Sequence, residues 1–420
     1  MKTKNKYYPK LKDVKKAAEN LNGISAITPL KKNKNLSNQY DANIFLKRED
    51  LQEVRSYKIR GAYNKIISLS KNQTKNGVVC ASAGNHAQGV AYCCYKLKIE
   101  GVIFMPLPTS NQKIQQVKMF GGRFIKIILF GDTFDDAFNE AKVYSNENNS
   151  SFVHPFDDEK IIEGQGTVGL EIIEQSLETI DYLFVPVGGG GLASGVSYIF
   201  KLLSPNSKII GVEPEGAPSM SVSLSRGKIT SLKSIEKFVD GAAVKRVGDR
   251  NFELCKELLD DMITIPEGKV CDTILELYNK DAIVVEPAGA LTISALDIYS
   301  KEIRKKNVVC VVSGGNNDIT RMEEIKERAM LHKQLKHYFL VKFVQKSGSL
   351  REFLNKVLGP NDDITFFEYH KKQNREKGSA IVGIVLNSSK DLQPLIERMK
   401  KLGFYGDYLN IKPDFLELLT

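Results

Sequence analysis

Residues 182–192 read Tyr182-Leu183-Phe184-Val185-Pro186-Val187-Gly188-Gly189-Gly190-Gly191-Leu192, an apolar run that passes directly into consecutive glycines. A short apolar run bounded by glycine is typical of a strand buried on both faces, as in parallel sheets. Glycines cost conformational entropy on folding, so a ligand that closely approaches the backbone explains them best. A helical pattern follows, and a helix start attracts anions. The stretch therefore predicts an α/β fold with a phosphate site after one strand.

Similar runs recur along the first three quarters of the chain, separated by segments of helix length. They are Ile44-Phe45-Leu46, Val78-Val79-Cys80-Ala81, Val102-Ile103-Phe104-Met105, Phe124-Ile125-Lys126-Ile127-Ile128-Leu129, Ile209-Ile210-Gly211-Val212 and Val308-Val309-Cys310-Val311-Val312. We expect parallel sheets covered on both faces, with ligands outside the carboxyl ends of the strands. The residues that follow each strand are therefore the candidate site residues.

Two of these strand ends carry polar side chains among small residues. Ser82-Ala83-Gly84-Asn85 follows the strand at 78–81 and opens a helical pattern, so its backbone N–H groups suit a carboxylate or another anion. Ser313 follows the strand at 308–312, where its hydroxyl is either a turn former or a hydrogen-bond partner for a ring atom.

The segment Ser56-Tyr57-Lys58-Ile59-Arg60-Gly61-Ala62 contains a candidate nucleophile. The residues at 63–69 continue it with apolar side chains at helical spacing, which places Lys58 in the first turn of a helix. The positive end of the helix disfavours an ammonium and helps to keep the amine neutral and nucleophilic. The alternative is a solvated surface charge, since the chain has 60 Lys and Arg residues.

The glycine stretch also fits a second class of enzyme. Gly188, Gly190 and Ala193 satisfy G-x-G-x-x-A, and Glu213 ends the next strand near the place of a ribose-binding acid. Taken alone, this region favours a dinucleotide dehydrogenase. That interpretation assigns no role to Lys58, to the segment at 82–85 or to Ser313.

Composition argues against several other classes of protein, namely membrane, secreted, metal-binding and nucleic-acid-binding proteins. At 420 residues we expect two or three domains, and 42% apolar with 26% charged residues is typical of a soluble globular chain. No apolar run reaches membrane-helix length and no secretion signal is recognised, so we expect a cytoplasmic protein without membrane contact. The six cysteines and five histidines show no metal-binding spacing, so no metal site is expected. The net charge of +10 is spread along the chain, which argues against nucleic-acid binding.

After about residue 320 the pattern changes. A charged helical connector at 321–336 precedes strand, helix, strand, strand, helix and strand signals, a βαββαβ order of the ferredoxin-like kind. Its first loop, 346–350, includes a predicted N-cap serine, and no nucleophile or phosphate loop follows. We expect domains at 1–325 (with a smaller lobe at about 55–155) and 337–420, joined by a linker at 326–336. The second domain is expected to be regulatory or oligomerising.

Taken together, these stretches resemble the fold type II enzymes that use pyridoxal 5′-phosphate, most closely the biosynthetic threonine dehydratases. The resemblance is carried, in order, by 56–62, 82–89, 188–192, Asp240-Gly241-Ala242-Ala243-Val244, Glu286-Pro287-Ala288-Gly289-Ala290 and Ser313-Gly314-Gly315-Asn316. It implies an α/β protein with two parallel-sheet lobes and a small α+β, ACT-like C-terminal domain.

The resemblance also implies roles for individual residues. Lys58 would bind the cofactor covalently and, once freed, act as general base; Asn85 would hydrogen-bond the ring oxygen, and Ser313 would face the pyridine nitrogen. The phosphate would be bound by the backbone N–H groups of Gly188, Gly189, Gly190, Gly191 and Leu192. The substrate carboxylate would be received by Ser82, Ala83, Gly84 and Asn85.

The implied activity is deamination of threonine to 2-oxobutanoate and ammonia, the committed step of isoleucine biosynthesis, with serine as a second candidate substrate. Isoleucine or valine would bind the C-terminal domain of a homo-oligomer, either dimer or tetramer. Val344-Gln345-Lys346-Ser347-Gly348 departs from the family's Pro-Glu-Arg-Pro-Gly-like loop, which bears on the strength of that inhibition. The alternatives are a serine racemase or serine dehydratase, a threonine synthase-like enzyme, and a non-catalytic amino-acid sensor.

Overall fold

The computed structural model describes residues 7–344, 346–370 and 377–412. The chain divides into two compact units, Met1–Asp318 and Ile319–Thr420. The linker expected at 326–336 overlaps a helix of the second unit, and the domain limits expected from the sequence stay a prediction.

The first unit alternates strands and helices. Its strands are β1 (Leu30–Lys32), β2 (Asn43–Arg48), β3 (Val78–Ala81), β4 (Gly101–Met105), β5 (Ile125–Leu129), β6 (Ser151–Phe152), β7 (Tyr182–Pro186), β8 (Lys208–Pro214), β9 (Asp261–Ile265) and β10 (Asn307–Val312). Its helices are α1 (Leu11–Leu21), α2 (Lys34–Tyr40), α3 (Lys58–Ile67), α4 (Lys71–Thr74), α5 (Asn85–Leu97), α6 (Asn111–Gly121), α7 (Phe134–Glu147), α8 (Glu159–Gln175), α9 (Gly191–Leu203), α10 (Ser219–Ser225), α11 (Asp249–Leu258), α12 (Glu267–Asp281) and α13 (Pro287–Ser294). Every strand predicted from the apolar runs is confirmed.

Two sheets organise this unit. In the smaller sheet the strand order is β5-β4-β3-β6, and every pairing is parallel. In the larger sheet the order is β1-β2-β10-β7-β8-β9, parallel except for β1 at the edge. Each sheet has its own apolar core, one around Cys80 and Ile103 and one around Leu183 and Val309. The two parallel-sheet lobes expected from the sequence are confirmed.

A buried cluster of charges fixes the start of α3. The Arg60 guanidinium donates to both carboxylate oxygens of Glu49, each at 2.8 Å, and to those of Glu171 at 2.5 and 2.9 Å. Lys47 Nζ donates to Glu171 at 2.6 Å and to the carbonyl of Thr28 at 2.6 Å. Because each buried charge has an opposite partner, the cluster avoids an unpaired charge. It ties the helix that starts at Lys58 to α8 and to the residues around β2.

The second unit has the βαββαβ order. Its elements are α14 (Met322–His332), β11 (Lys336–Val344), α15 (Ser349–Lys356), β12 (Asp363–His370), β13 (Lys377–Val385), α16 (Leu392–Lys401) and β14 (Tyr405–Tyr408). The strands form an antiparallel sheet in the order β12-β13-β11-β14, with a core that includes Phe339, Phe353 and Val382. The ferredoxin-like expectation is confirmed.

One local prediction in the second unit is wrong. The N-cap of α15 is Gly348, with φ at +90°, and no side chain caps this helix. Glycine adopts a left-handed conformation without steric cost, so the turn is made by the backbone and not by a serine hydroxyl. Gln345, in the same loop, lies outside the described residues.

In the described part of the chain, no helix is long and apolar enough to cross a membrane.

Candidate active site

Lys58 lies at the first position of α3, as predicted. Its amine donates to the carbonyl oxygen of Pro155 at 3.1 Å and lies 5.3 Å from the centre of the Tyr57 ring. Burial lowers the pKa of the Lys58 ammonium to about 8, although the Glu286 carboxylate acts in the opposite direction. A substantial neutral fraction near pH 7 to 8 makes this amine a nucleophile and a base.

The glycine loop presents backbone donors at the start of α9. Gly190, with φ at +91°, is the N-cap, and α9 begins at Gly191. Among the described residues, no protein acceptor receives a hydrogen bond from the N–H groups of 188–193. Unpaired N–H groups at the positive end of a helix form an anion site.

Neighbouring groups leave no room for side chains on this loop, so glycine is required at these positions. A Cβ atom on Gly189 would lie 2.2 Å from the Phe156 ring, and one on Gly191 would lie 2.8 Å from the Phe156 carbonyl oxygen. Asn251 Nδ2 donates to the carbonyl oxygens of Gly189, at 2.8 Å, and Phe156, at 3.1 Å. On Gly188 a Cβ atom would lie 3.0 Å from the backbone of Ala242. The loop conformation is therefore set by its surroundings.

The segment at 82–85 also leads into a helix start. Gly84 is the N-cap of α5, and its N–H donates to Ser82 Oγ at 3.1 Å. A Cβ atom on Gly84 would meet nothing within 4 Å, so the space beside it is open. For the N–H groups of Ala83 and Asn85, the described part of the chain provides no acceptor. The segment can therefore receive a carboxylate, as the sequence predicts.

Asn85 and Ser313 mark two further sides of the site. Asn85 Nδ2 donates to Glu286 Oε1 at 2.6 Å, while Asn85 Oδ1 accepts from Asn316 Nδ2 at 2.6 Å. Ser313, which follows β10, is 2% exposed, and its carbonyl oxygen accepts from the Tyr57 N–H at 3.2 Å. The strand end that carries the hydroxyl is thus bonded to the residue before Lys58.

A continuous set of contacts links these parts. Phe156 packs on the glycine loop, and the preceding residue, Pro155, accepts from Lys58. A Cβ atom on Gly89 of α5 would lie 3.2 Å from the backbone of Lys58, so this helix packs directly on the start of α3. Ser56 pairs with Gly314, next to Ser313. The structure therefore brings the predicted phosphate loop, carboxylate loop, serine and lysine into one site.

The residues present fit pyridoxal 5′-phosphate. An anion of phosphate size finds unpaired donors at 188–193, an amine with a lowered pKa lies nearby, and amide and hydroxyl side chains are available for ring atoms. Among residues 7–344, 346–370 and 377–412, no group of three or more His, Cys, Asp or Glu side chains could hold a metal ion.

Comparison with known proteins identifies the family of this chain. The model of the family described as pyridoxal-phosphate dependent enzyme matches residues 23–314, and that of the C-terminal regulatory domain of threonine dehydratase matches residues 327–419. The chain is 54% identical to the biosynthetic L-threonine dehydratase IlvA of Halalkalibacterium halodurans over 409 residues, covering 97% of this chain and 99% of that protein. It is also 54% identical to the Bacillus subtilis protein of the same name, covering 97% of each.

Two solved enzyme structures are also similar to this chain. The processed form of threonine deaminase isoform 2 from Solanum lycopersicum has a TM-score of 0.71 at 38% identity, covering 77% of this chain and 95% of that one. Maize serine racemase has a TM-score of 0.71 at 30% identity, covering 78% of this chain and 99% of that one.

The fold and the site define a pyridoxal-phosphate-dependent enzyme of fold type II. Within that class, the chain belongs to the biosynthetic threonine dehydratase family, since relatives of that name match nearly its whole length. The family and the cofactor predicted from the sequence are confirmed, and the dinucleotide dehydrogenase alternative is wrong.

Sequence reasoning left several site residues without a role. Glu286 was quoted within a motif of the resemblance but without a partner, and the sequence pattern assigned no role to Pro155, Phe156, Asp157 or Asp158. In the structure these acids are helix caps: Asp158 accepts from the first turn of α8, and Asp157 from that of α11. Asp158 directly precedes the helical pattern of α8, a capping signal that could have been recognised, whereas α11 is distant in sequence from Asp157. For Asn251, no feature of the sequence predicts a place in the site.

Proposed function

We propose that this enzyme deaminates L-threonine to 2-oxobutanoate and ammonia by β-elimination of water. The observation that carries the proposal is that Lys58, an amine with a lowered pKa, shares a site with the starts of α5 and α9, where backbone N–H groups have no acceptor among the described residues. The choice of threonine follows the names of the relatives that match nearly the full chain.

Pyridoxal phosphate, when bound, supplies an electron sink for the bond broken at the substrate α-carbon. Lys58 would hold the cofactor through Nζ, and its free, neutral amine would take the α-proton of the substrate at Nζ. Its lowered pKa suits both tasks, because an amine that stayed fully protonated could do neither. Tyr57 and the Pro155 carbonyl hold the amine in place when it carries the proton.

Other residues orient the reacting groups. The N–H groups of 188–192 would hold the phosphate, and those around Gly84 would receive the substrate carboxylate in the open space beside that glycine. Asn85 would donate to the ring oxygen. Ser313 would face the pyridine nitrogen with a hydroxyl, which unlike a carboxylate does not keep that nitrogen protonated. A less strongly charged ring would be a weaker electron sink, which favours prompt loss of the β-hydroxyl once the α-proton has been taken.

The second unit supports a regulatory role. It matches the regulatory domain of threonine dehydratase and its fold is ferredoxin-like. We infer that isoleucine, with valine as a second candidate, binds this unit and inhibits the committed step of isoleucine biosynthesis. The protein is proposed to work in the cytoplasm as a homo-oligomer, a dimer or a tetramer.

The direct test is product analysis with purified enzyme and either threonine or serine. The proposal predicts 2-oxobutanoate and ammonia from threonine at a higher kcat/KM than pyruvate from serine, and no D-serine. D-serine as the main product would favour a racemase, the activity in the name of the maize relative. A protein that binds isoleucine without turning over either substrate would favour a sensor.

A further inference from the structure

Three loops that carry the family resemblance converge on one buried acid. Glu286 is 4% exposed and precedes α13 as its N-cap. A Cβ atom on Gly314 would lie 2.5 Å from Glu286 Oε1, and one on Gly241 would lie 3.2 Å from it. The Glu286 N–H also donates to the Gly314 carbonyl at 3.2 Å. The two glycines therefore leave room for a carboxylate inside the protein, whose burial is costly unless it has a hydrogen-bond partner.

The partner of this carboxylate is Asn85. Its Nδ2 donates to Glu286 Oε1 at 2.6 Å, and its Oδ1 accepts from Asn316 Nδ2 at 2.6 Å. Asn316 Nδ2 also donates to the carbonyl of Val54 at 2.9 Å, so both of its amide protons are used. Both ends of the Asn85 amide are thereby held.

These bonds permit only one orientation of the Asn85 amide. If the amide turned over, its oxygen would face the Glu286 carboxylate and its NH₂ group would face the NH₂ group of Asn316. The contact with Asn316 would be repulsive because an amide nitrogen only donates hydrogen bonds, and the contact with Glu286 would be repulsive whenever that group is ionised, because a carboxylate only accepts them. In the observed orientation, one proton of Asn85 Nδ2 goes to Glu286 and the other remains for a ligand.

We infer that Glu286 is a positioning residue: acting through Asn85, and together with Asn316, it makes the amide present an N–H donor to the ring oxygen of the cofactor. The inference rests on the proposed function, because it takes the ring-oxygen role of Asn85 from there. The loops that contain Glu286 and Asp240 have no role in the reaction proposed above. This inference assigns them the positioning of Asn85.

The test measures cofactor binding and not turnover. Apo-protein of each variant is titrated with pyridoxal 5′-phosphate, and the affinity and the absorbance spectrum of the bound cofactor are recorded. Glu286→Asp, which withdraws the carboxylate by one methylene, and Glu286→Ala should each weaken binding about ten- to a hundredfold, the range for a hydrogen bond to a charged group. Both should shift the spectrum as Asn85→Ala does. Glu286→Gln, whose amide oxygen can still accept, should stay within about threefold of the wild type.

Two comparisons make the result specific. Ser294→Ala removes a buried hydroxyl of the same helix, one that bonds Thr273 and Ala290 and no site residue, so its cofactor affinity and spectrum should be unchanged. Asn85→Ala/Glu286→Asp should bind no more weakly than Asn85→Ala alone, because both changes remove the same donor.

Wild-type affinity and spectrum in Glu286→Asp would overturn the inference, as would losses that add in the double variant. Glu286→Asp also keeps the test decisive if Glu286→Ala does not fold. A wild-type enzyme that binds the cofactor but leaves threonine unchanged would contradict the proposed function alone, since the binding test needs no substrate.

Discussion

Lys58 owes its reactivity to burial at the start of a helix. The amine is held by the Pro155 carbonyl and lies against the Tyr57 ring, and its pKa is lowered to about 8 mainly by desolvation. Since only the neutral amine attacks a carbonyl carbon, the fraction of reactive protein must follow this ionisation.

We therefore expect the rate of covalent attachment of pyridoxal 5′-phosphate to the apo-protein to rise with pH and to level off above about pH 8. Stopped-flow absorbance measures this rate. Free Nα-acetyl-lysine amide in the same buffers is the control, because its attachment should keep rising toward the ordinary lysine pKa of about 10.4. A protein profile that matches the free amine would show that the site does not tune Lys58.

Glu213 shows the same effect of burial on an acid. It is fully buried and accepts hydrogen bonds from the N–H groups of Met220 and Ser221 and from the Ser221 hydroxyl, at 2.7 to 2.9 Å. Burial nevertheless raises the pKa of Glu213 to about 7. Because the folded state then holds a proton that the unfolded state releases at about pH 4.5, this group lowers the free energy of unfolding as pH rises from about 4.5 to 7.

Glu213→Gln should remove that pH dependence. Relative to the wild type, the variant should gain up to about 3 kcal/mol between about pH 5 and pH 8, since one pKa unit corresponds to about 1.4 kcal/mol. Urea unfolding of both proteins at each pH gives the difference. A difference that stays constant over this range would contradict the raised pKa.

At the scale of elements, the site is built from helix starts that follow parallel strands. α3 begins with Lys58, α5 follows the carboxylate loop, and α9 follows the phosphate loop. Both loops contain glycine, but for different reasons. Gly189 faces the Phe156 ring, whereas the position of a side chain on Gly84 is open.

Alanine at these two glycines should therefore have different effects. Gly189→Ala should lower the free energy of unfolding by about 1 to 3 kcal/mol and weaken cofactor binding, because the new methyl group would overlap the Phe156 ring. Gly84→Ala should keep stability and cofactor affinity but raise the KM for threonine about tenfold or more, because the methyl group would enter the space of the substrate carboxylate. Thermal unfolding, cofactor titration and steady-state kinetics separate the two. Equal effects in both variants would contradict the assignment of separate loops.

The elements were largely predictable because their signals are local. Apolar runs such as Val308–Val312 and the glycines at 188–191 show in the sequence where strands end and helices begin. The links between distant segments were not predictable in the same way. The bonds from Asn85 to Glu286 and from Lys58 to Pro155 each join residues nearly a hundred or more positions apart. Local spacing contains no information about such pairs.

Cap positions show a second limit. Gly348, and not the predicted serine, is the N-cap of α15. Its positive φ cannot be inferred from a hydrophobic pattern. Asp158, by contrast, directly precedes α8 and caps it, a role that the sequence could have indicated. Backbone conformation and side-chain capping compete at a helix start, and the sequence alone does not say which prevails.

At the scale of the whole molecule, the chain combines a catalytic unit with a smaller ferredoxin-like unit. Each unit has its own apolar core, and all the proposed site residues belong to the first unit. Regulation by an amino acid would then depend on the second unit, while catalysis would not require its side chains.

We expect a chain that ends at Asp318 to retain threonine turnover, with kcat within about threefold of the full chain, and to lose inhibition by isoleucine. Initial rates with increasing isoleucine measure both properties. Phe353→Ala in the full chain is a milder variant, because it opens a cavity in the core of the second unit only. A truncated enzyme inhibited as strongly as the full chain would place the effector site in the first unit.

We propose above all that Lys58 carries the cofactor of a threonine-deaminating enzyme. Borohydride reduction of the holoenzyme, followed by peptide mapping, tests it most directly when threonine turnover is measured on the same sample. The expected result is a phosphopyridoxyl group on the peptide that contains Lys58, with turnover lost in proportion to labelling, and neither label nor turnover in Lys58→Ala. A label on another lysine, or full turnover in Lys58→Ala, would show that Lys58 does not carry the cofactor.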